Sequence, residues 1–379
     1  MVKKLKFLVL VLFLVLVLAT AGFTAEQWVW LVKPELLKAG ELKVVWQNDL
    51  PLVPARDKGF LHIFGDRHTP AEKLKKVYLL DSRLFALSDS NYLMSLDRKT
   101  GQVMFSKGIA PKGFSVEGME LFGGELYSVI ANNLVQIDPV HGVEKESKRL
   151  TYPVVCPPAR NSWFFYIAGN DNRLRAYRAD DKVKIFELAA DSISEINAIV
   201  AQEQFVIFGT EAGEVVSIAA ERPRLRWQFK TGDAIGQPLV YKDGFVYASS
   251  RNTYIYKFDA ETGQIVWKYQ TGGLLNEGPV VSDKLLYQYV RNDGLAAIDI
   301  ETGELVWMAN GGRDILAEDG SRSYVITKDS VLAVMDSERR EQLFTVNFAG
   351  ISHYVTNLQD SKIYVSNNTG RMACFEPIK

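Results

Sequence analysis

The chain has 379 residues, of which 47% are hydrophobic and 23% are charged, a composition typical of globular proteins. Lysine and arginine (44) nearly balance aspartate and glutamate (45), which argues against a polybasic nucleic-acid binder. The two cysteines, Cys156 and Cys374, are too few for a disulfide framework, a zinc ribbon or a cysteine-ligated iron–sulfur cluster.

The N-terminal residues have the pattern of an export signal. Three early lysines precede an apolar run from Phe7 to Leu18 and the small residues Ala19-Thr20-Ala21. We predict a signal peptide over residues 1–21, with cleavage after Ala25 or an uncleaved membrane anchor as alternatives. No cysteine near the cleavage site could accept a lipid. The expected location is the periplasm or cell envelope, close to a membrane but not spanning it after cleavage.

The rest of the chain is a repeat. An Asp-x-x-Thr-Gly frame followed by an aromatic residue is clearest in the segments 256–267 and 296–307, which are offset by 40 residues. Strong or degenerate copies place the aspartate position at residues 97, 138, 178, 219, 259, 299, 336 and 376. A period near 40 residues that contains several short strands predicts a β-propeller.

Each period divides into four predicted strands. Between residues 238 and 270, four short runs rich in aromatic and β-branched residues are separated by Gly, Asn, Asp and Ser. No segment from residue 72 onward has the pattern of a useful helix, although one helical turn is expected after Pro34. The fold class is therefore all-β, with four-stranded antiparallel blades.

The frame residues have distinct physical roles. Asp259 can accept hydrogen bonds from the N–H groups of its own turn, and Gly263 can take the left-handed conformation that the turn requires. The aromatic residue eight positions after the aspartate can dock between blades and bury about 150–250 Å². Glu146 occupies this position in one repeat and predicts a weaker or rearranged contact. The predicted docking residues are Trp46, Phe105, Phe186, Trp227, Trp267, Trp307 and Phe344.

The two ends of the chain are complementary. The eighth period ends at Lys379 after its third strand, whereas Leu42–Trp46 resembles a fourth strand that lacks the first three. Pairing these segments removes two open sheet edges. We predict a single eight-bladed propeller over residues 42–379, with a last blade closed by the N-terminal strand, after an extension over residues 22–41.

The Asp-x-x-Thr-Gly-x-x-x-Trp repeats resemble those of the pyrroloquinoline-quinone-type, or tryptophan-docking, β-propeller family. The resemblance extends over residues 42 to 379. Within this family, the chain is similar to the propeller subunit of the outer-membrane β-barrel assembly machinery, although that subunit is a lipoprotein. The resemblance implies a non-catalytic scaffold whose protein partner could be an outer-membrane assembly factor. The equivalent partner-binding loops are Ala189–Asn197 and Thr231–Gln237; within them only Asp233 matches the acidic pattern.

The same propeller type also carries quinone cofactors in alcohol and sugar dehydrogenases, so an enzyme is the alternative class. Such a site needs a stacking tryptophan and usually a vicinal cysteine pair. The two cysteines are far apart, and the tryptophans from Trp227 onward all fall in docking positions; Trp163, at the start of a strand, is expected in the core. We therefore expect no enzymatic activity and no cofactor or metal. A small-ligand or carbohydrate sensor is a third possibility.

Histidines offer little catalytic chemistry. His141 replaces the threonine of a frame turn, whereas His62, Asp66 and His68 could supply metal ligands but lack an evident further partner. A solvated loop is the simpler interpretation of that segment.

The candidate partner contacts lie on the face that carries the second-to-third-strand turns and the interblade loops. Arg251 and Arg291 occur in such turns although turn chemistry does not require arginine. The long insertion from Gln47 to Ala71 contributes Phe60, Phe64 and Arg67, residue types enriched in binding hot spots. We expect a monomer that binds a protein partner and no nucleic acid.

Overall fold

The computed structural model describes residues 29–53 and 71–378. The predicted signal peptide lies outside these residues. Eight antiparallel four-stranded sheets make up the described chain, and the last sheet contains the N-terminal strand. The predicted all-β, eight-bladed propeller is therefore confirmed.

The chain order places one short helix before the blades. Helix α1 (Pro34–Ala39) begins directly at Pro34, since proline is tolerated in the first helical turn. The following strands are β1 (Leu42–Asp49); in blade 1, β2 (Leu74–Leu80), β3 (Arg83–Ser88), β4 (Tyr92–Asp97) and β5 (Val103–Gly108); in blade 2, β6 (Val116–Phe122), β7 (Glu125–Ile130), β8 (Asn133–Ile137) and β9 (Glu144–Arg149). Blade 3 has β10 (Ala159–Arg160), β11 (Phe164–Gly169), β12 (Arg173–Arg178) and β13 (Lys184–Ala189); blade 4 has β14 (Ile196–Ala201), β15 (Phe205–Thr210), β16 (Glu214–Ala219) and β17 (Leu225–Lys230).

The remaining blades follow the same order from the inner to the outer strand. Blade 5 has β18 (Val240–Lys242), β19 (Phe245–Ser249), β20 (Tyr254–Asp259) and β21 (Ile265–Gln270); blade 6 has β22 (Val280–Val281), β23 (Leu285–Val290), β24 (Gly294–Asp299) and β25 (Leu305–Asn310). Blade 7 has β26 (Gly312–Asp319), β27 (Arg322–Thr327), β28 (Val331–Asp336) and β29 (Glu341–Asn347); blade 8 has β30 (His353–Val355), β31 (Ile363–Ser366), β32 (Arg371–Pro377) and then β1.

The antiparallel order defines two faces of the ring. We call the upper face the one that carries the turns between second and third strands and the connections between blades. The lower face carries the turns between first and second strands and between third and fourth strands. All predicted partner contacts in the described part of the chain belong to the upper face.

The Asp-x-x-Thr-Gly turns lie on the lower face and support the neighbouring blade. The Asp259 carboxylate accepts hydrogen bonds from the N–H groups of Thr262 (2.8 Å) and Glu261 (3.1 Å), which hold its pKa below the usual value. Gly263 has a φ of 73°, and a Cβ there would lie 2.5 Å from the ring of Trp227 in blade 4. Glycine is required both by the turn and by the docked ring.

Tryptophan docking adds a hydrogen bond at four blade junctions. The indole N–H of Trp267, on the outer strand of blade 5, donates to the carbonyl of Ile300 in blade 6 at 3.0 Å. Burial of the ring and satisfaction of its only donor occur together, as expected for a tryptophan inside a protein. Equivalent bonds join Trp46 to Arg98, Trp227 to Ala260 and Trp307 to Ser337.

Glu146, which breaks the aromatic pattern, has a matched change across the junction. Lys182 takes the position of the turn glycine in blade 3 and keeps a positive φ of 56°. Its ammonium group donates to the Glu146 carboxylate at 2.8 Å and to the carbonyl of Ala179 at 2.7 Å. An ion pair therefore replaces the aromatic–glycine contact between blades 2 and 3.

Ring closure joins residues from the two ends of the described chain. In the antiparallel pair of β1 and β32, Lys43 lies opposite Glu376 and Trp46 lies opposite Cys374. Gln47, Asn48 and Asp49 continue this strand, so they do not belong to the insertion that was predicted to begin at Gln47. The Arg98 side chain of blade 1 adds hydrogen bonds to Tyr364 (2.9 Å) and Asn357 (3.0 Å) of blade 8.

The inner strands surround the channel and contain two carboxyl groups with raised pKa values. In β6, burial raises the pKa of Glu120 to about 7. Asp314, in β26, lies near the ion pair of Arg313 and Glu277. Burial raises the Asp314 pKa to about 6, although the N–H of Ile315 donates to its carboxylate at 2.8 Å. Compared with an exposed aspartate, Asp314 in the folded protein is therefore protonated at a higher pH.

Replacing Trp46 tests the closure of the ring. We expect Trp46→Ala to reduce the free energy of unfolding by about 3–5 kcal/mol, because it removes a buried ring at the last junction. Val45→Ala, at an exposed neighbouring position in β1, is the matched control and should cost much less. Equal denaturation midpoints for the two variants would contradict this role of Trp46.

Substitutions can test the ion pair of Glu146 and Lys182, which replaces the aromatic–glycine contact between blades 2 and 3. Glu146→Ala should destabilise the protein by about 1–3 kcal/mol, because it leaves the buried Lys182 ammonium without its carboxylate partner. The double variant Glu146→Phe/Lys182→Gly should recover this loss by restoring the contact found elsewhere. Denaturant titration compares the free energies of unfolding of Glu146→Ala and of the double variant. A double variant no more stable than Glu146→Ala would contradict the coupling of the two positions.

Asp314 makes a defined contribution to pH dependence. Its pKa is raised on folding, so its stabilising contribution is complete below the ordinary aspartate pKa of 3.8 and is lost as the pH rises through about 6. Thermal melting between pH 4 and pH 7 should therefore show a smaller fall in Tm for Asp314→Asn than for the wild type. Parallel curves would show that the carboxyl group does not titrate in this way.

Candidate functional site

Two predicted contact residues meet on the upper face between blades 4 and 5. Asp233 lies in the connection between the blades, and Arg251 lies in the β19–β20 turn. The N–H of Arg251 donates to the carbonyl of Ala234 at 2.8 Å, and the hydroxyl of Ser250 donates to the carbonyl of Asp233 at the same distance. The backbone thus fixes the two residues side by side.

Arg291 occupies the equivalent turn one blade further along the ring. Its N–H donates to the carbonyl of Leu274 in the connection between blades 5 and 6, at 3.2 Å. Both the Arg291 and Leu274 side chains are exposed. The repeat therefore presents Arg291 in the same way as Arg251, but at a separate junction.

The two loops implied by the family resemblance flank blade 4. Asn197, a buried residue, donates from its amide nitrogen to the carbonyl of Ile235 at 2.5 Å and to the carboxylate of Glu211 at 2.9 Å. The N–H of Glu211 donates in turn to the carbonyl of Glu195 at 2.9 Å. Residues 189–197 and 231–237 are therefore held together through blade 4.

We call Ile193, Glu195, Glu211, Asp233 and Arg251 the blade-4 patch. Ile193 is 70% exposed, the largest value among the exposed large hydrophobic residues of the described chain. Glu211 accepts an ion pair from Arg251 at 3.4 Å. Three carboxylates against one guanidinium make the patch acidic. Ile193, whose carbonyl accepts a hydrogen bond from Asn172 of blade 3 at 2.9 Å, adds an exposed apolar side chain on the blade-3 side.

A buried carboxylate forms hydrogen bonds with the loop over residues 189–197. Glu214, at the start of β16, accepts hydrogen bonds from the side chains of Ser192 and Gln228 and an ion pair from Lys230. Burial opposes its charge, but the bonds from Ser192 and Lys230 outweigh that effect and keep the pKa below the usual value. Glu214 therefore stays ionised and anchors the loop that presents Ile193.

The remaining predicted contacts fall elsewhere. Phe60, Phe64 and Arg67, together with the His62–His68 segment, lie outside the described residues. The connection between β5 and β6 covers residues 109–115 on the upper face. Its Phe114 side chain is exposed on the upper face.

The residues present do not fit a quinone site. Trp227, Trp267 and Trp307 are buried between blades with their N–H groups occupied, so their rings are not available to stack on a ligand. Burial raises the pKa of both the Cys156 and Cys374 thiols to about 12, which keeps them unreactive.

The histidine and metal-ligand candidates of the described residues do not form a catalytic site either. His141 contacts Asp138 of its own turn at 2.8 Å, as a turn residue would. Across residues 29–53 and 71–378, no three His, Cys, Asp or Glu side chains are grouped so that they could hold a metal ion.

The expectation that Trp163 is a core residue is wrong. The residue precedes β11 and is 65% exposed on the lower face. Sequence reasoning also missed Glu211 and Asn197, which organise the blade-4 patch. The Glu211 position could have been found, because Thr210-Glu211-Ala212-Gly213 has the polar and glycine pattern of the other second-to-third-strand turns.

Comparison with known proteins supports the fold and the repeat type. The family model described as "Outer membrane protein assembly factor BamB" matches residues 211–350, which include Asp233, Arg251 and Arg291. No curated protein matches the sequence. In the described ranges, no helix has the length and apolar character needed to cross a membrane.

Two solved structures have the same fold at low sequence identity. BamB from Moraxella catarrhalis is 13% identical, with a TM-score of 0.65 over 88% of this chain and 97% of that one. The computationally designed Ika8 protein is 12% identical, with a TM-score of 0.67 over 88% of this chain and 99% of that one. The predicted resemblance to the pyrroloquinoline-quinone-type β-propeller repeats, and to BamB in particular, is therefore confirmed.

Proposed function

We propose that the protein is a non-catalytic scaffold of the cell envelope that binds a protein partner, an outer-membrane assembly factor, through the blade-4 patch. The observation that carries the proposal is the combination of the exposed Ile193 with charged groups on loops that are fixed to one another. Exposed apolar and charged side chains occur together in protein interfaces.

The geometry of the patch favours binding over chemistry. Asn197 joins the two loops, and Glu214 fixes the base of one of them, so little conformational freedom is lost when a partner binds. The excess of carboxylates favours a partner surface with basic residues around an apolar cleft. Arg251 lies beside Glu211, so it also orders the acidic side chains.

The envelope location rests on two independent features. The N-terminal sequence has the order of basic, apolar and small residues found in export signals. The matching family model carries the name of an outer-membrane assembly factor. An exported scaffold that serves envelope assembly accounts for both.

Site-specific crosslinking tests the proposed surface. A photoreactive amino acid at Ile193 should capture a defined partner in envelope preparations, whereas the same group at the exposed Val266 of the outer strand β21 should not. Ile193→Ala, which removes the apolar side chain, and Asp233→Lys, which reverses one carboxylate charge, should each weaken binding of that partner about tenfold or more, with Tm unchanged. Titration with the purified partner measures the dissociation constant of each variant.

Two results would overturn the proposal. Equal capture from positions 193 and 266 would show that the patch is not the interface. Saturable dye reduction by the purified protein with an alcohol or a sugar, dependent on added pyrroloquinoline quinone and calcium, would show that the protein is an enzyme.

A further inference from the structure

A groove of about 640 Å³ lies on the lower face between blades 3 and 4. Trp163 and the half-exposed Ile185 form its apolar part, and Glu203 and Glu221 of blade 4 lie on the opposite side. The groove is on the other side of the ring from the blade-4 patch. It is therefore separate from the surface proposed above for the protein partner.

The exposure of Trp163 is imposed by a rigid turn. The Asn161 side-chain oxygen accepts the N–H groups of Trp163 (2.9 Å) and Phe164 (2.8 Å). Asn161 is itself buried, and its amide nitrogen donates to the carbonyl of Gln202 in blade 4 at 2.8 Å. The turn is thus tied to both blades and holds a large apolar ring in water.

The charges around the ring are mainly negative. Asp180, Glu203 and Glu221 line the groove, whereas Arg178 is its only cationic lining residue in the described chain. Arg178 forms an ion pair with Asp181 at 3.3 Å. Arg222 forms an ion pair with Glu221 at 3.3 Å. The uncompensated negative charge of the groove is therefore on Asp180 and Glu203.

Glu203 is held in place by hydrogen bonds from Ser162. Its carboxylate accepts hydrogen bonds from the N–H (3.1 Å) and hydroxyl (2.7 Å) of Ser162, both neutral donors. These bonds orient the carboxylate next to Trp163 and leave its second oxygen for a ligand. No lysine or arginine of the described residues forms an ion pair with Glu203 or Asp180 within 4 Å.

We propose that this groove is a second binding site, which accepts a peptide segment carrying arginine or lysine next to an apolar residue. A cation over the indole face gains from the ring quadrupole, and nearby carboxylates strengthen the same contact. The apolar residue covers Ile185 and the rest of the indole. An acidic segment would meet like charges from Glu203 and Asp180.

Fluorescence anisotropy with short labelled peptides tests this site in the purified protein. A peptide of alternating leucine and arginine should bind, and the affinity should fall as the salt concentration rises. The counterpart peptide with glutamate in place of arginine should not bind. Cellohexaose serves as a carbohydrate probe for the exposed tryptophan.

Paired variants separate the contributions of the ring and the charges. Trp163→Ala should weaken binding of the basic peptide about tenfold, whereas Phe114→Ala, an exposed aromatic on the upper face, should leave it unchanged. Glu203→Gln keeps an acceptor for Ser162 but removes the charge, and should weaken binding about threefold to tenfold at low salt. Glu304→Gln, at an exposed turn of blade 6, is its control.

The proposal is overturned if the basic and acidic peptides bind equally, or if Trp163→Ala and Glu203→Gln match their controls. Saturable binding of cellohexaose without binding of the basic peptide would also overturn it and would assign the groove to sugars. Because Trp163 and Glu203 are surface residues, unchanged Tm values will show that the variants remain folded.

Discussion

Docking of an aromatic side chain onto the turn of the next blade is the interaction on which the closed propeller depends. At a junction such as that of Trp227 with Gly263, the docked aromatic ring leaves no room for a side chain on the turn, so glycine stands there at a positive φ and aspartate caps the N–H groups of the turn. Three features of the repeat thus follow from one contact. In the turn beside Trp307, Arg340 takes the glycine position with a φ of 59°. At the junction of Glu146 and Lys182 an ion pair takes the place of the aromatic–glycine contact, because both residues differ from the repeat.

A ring fixed in this way leaves binding to the turns and loops. Blade 4 contributes to both proposed surfaces: Glu211 belongs to the upper patch, and Glu203 belongs to the lower groove. The two carboxylates lie at opposite ends of the same strand, β15, or just beyond them. Two ligands could therefore contact one blade without competing for the same surface, and the rigid strands between them keep their separation constant.

The sequence predicted those features that repeat. Eight frame positions gave the blade number, and the incomplete ends gave the closure, because each depends on local residues at a constant spacing. The pairing of Lys182 with Glu146 was not predictable, since the two lie in different repeats and neither follows the consensus. The prediction for Trp163 was wrong because a position beside a strand does not define the direction of a side chain. The direction is set by the turn that Asn161 stabilises. The blade-4 patch depends on contacts such as Asn197 to Ile235, which join three segments and leave no periodic signal.

The composite last blade makes the fold sensitive to the length of the chain. Strand β1 is synthesised before any other, yet its partner β32 comes last, and the Arg371–Asp49 contact joins residues 322 positions apart. Until the final strand is made, β1 has no sheet to join, and the preceding blades keep an open edge. A chain that stops a few residues early lacks this partner altogether. Blade 8 therefore forms only through contacts between residues far apart in the sequence, and its pairing carries a large loop-closure entropy.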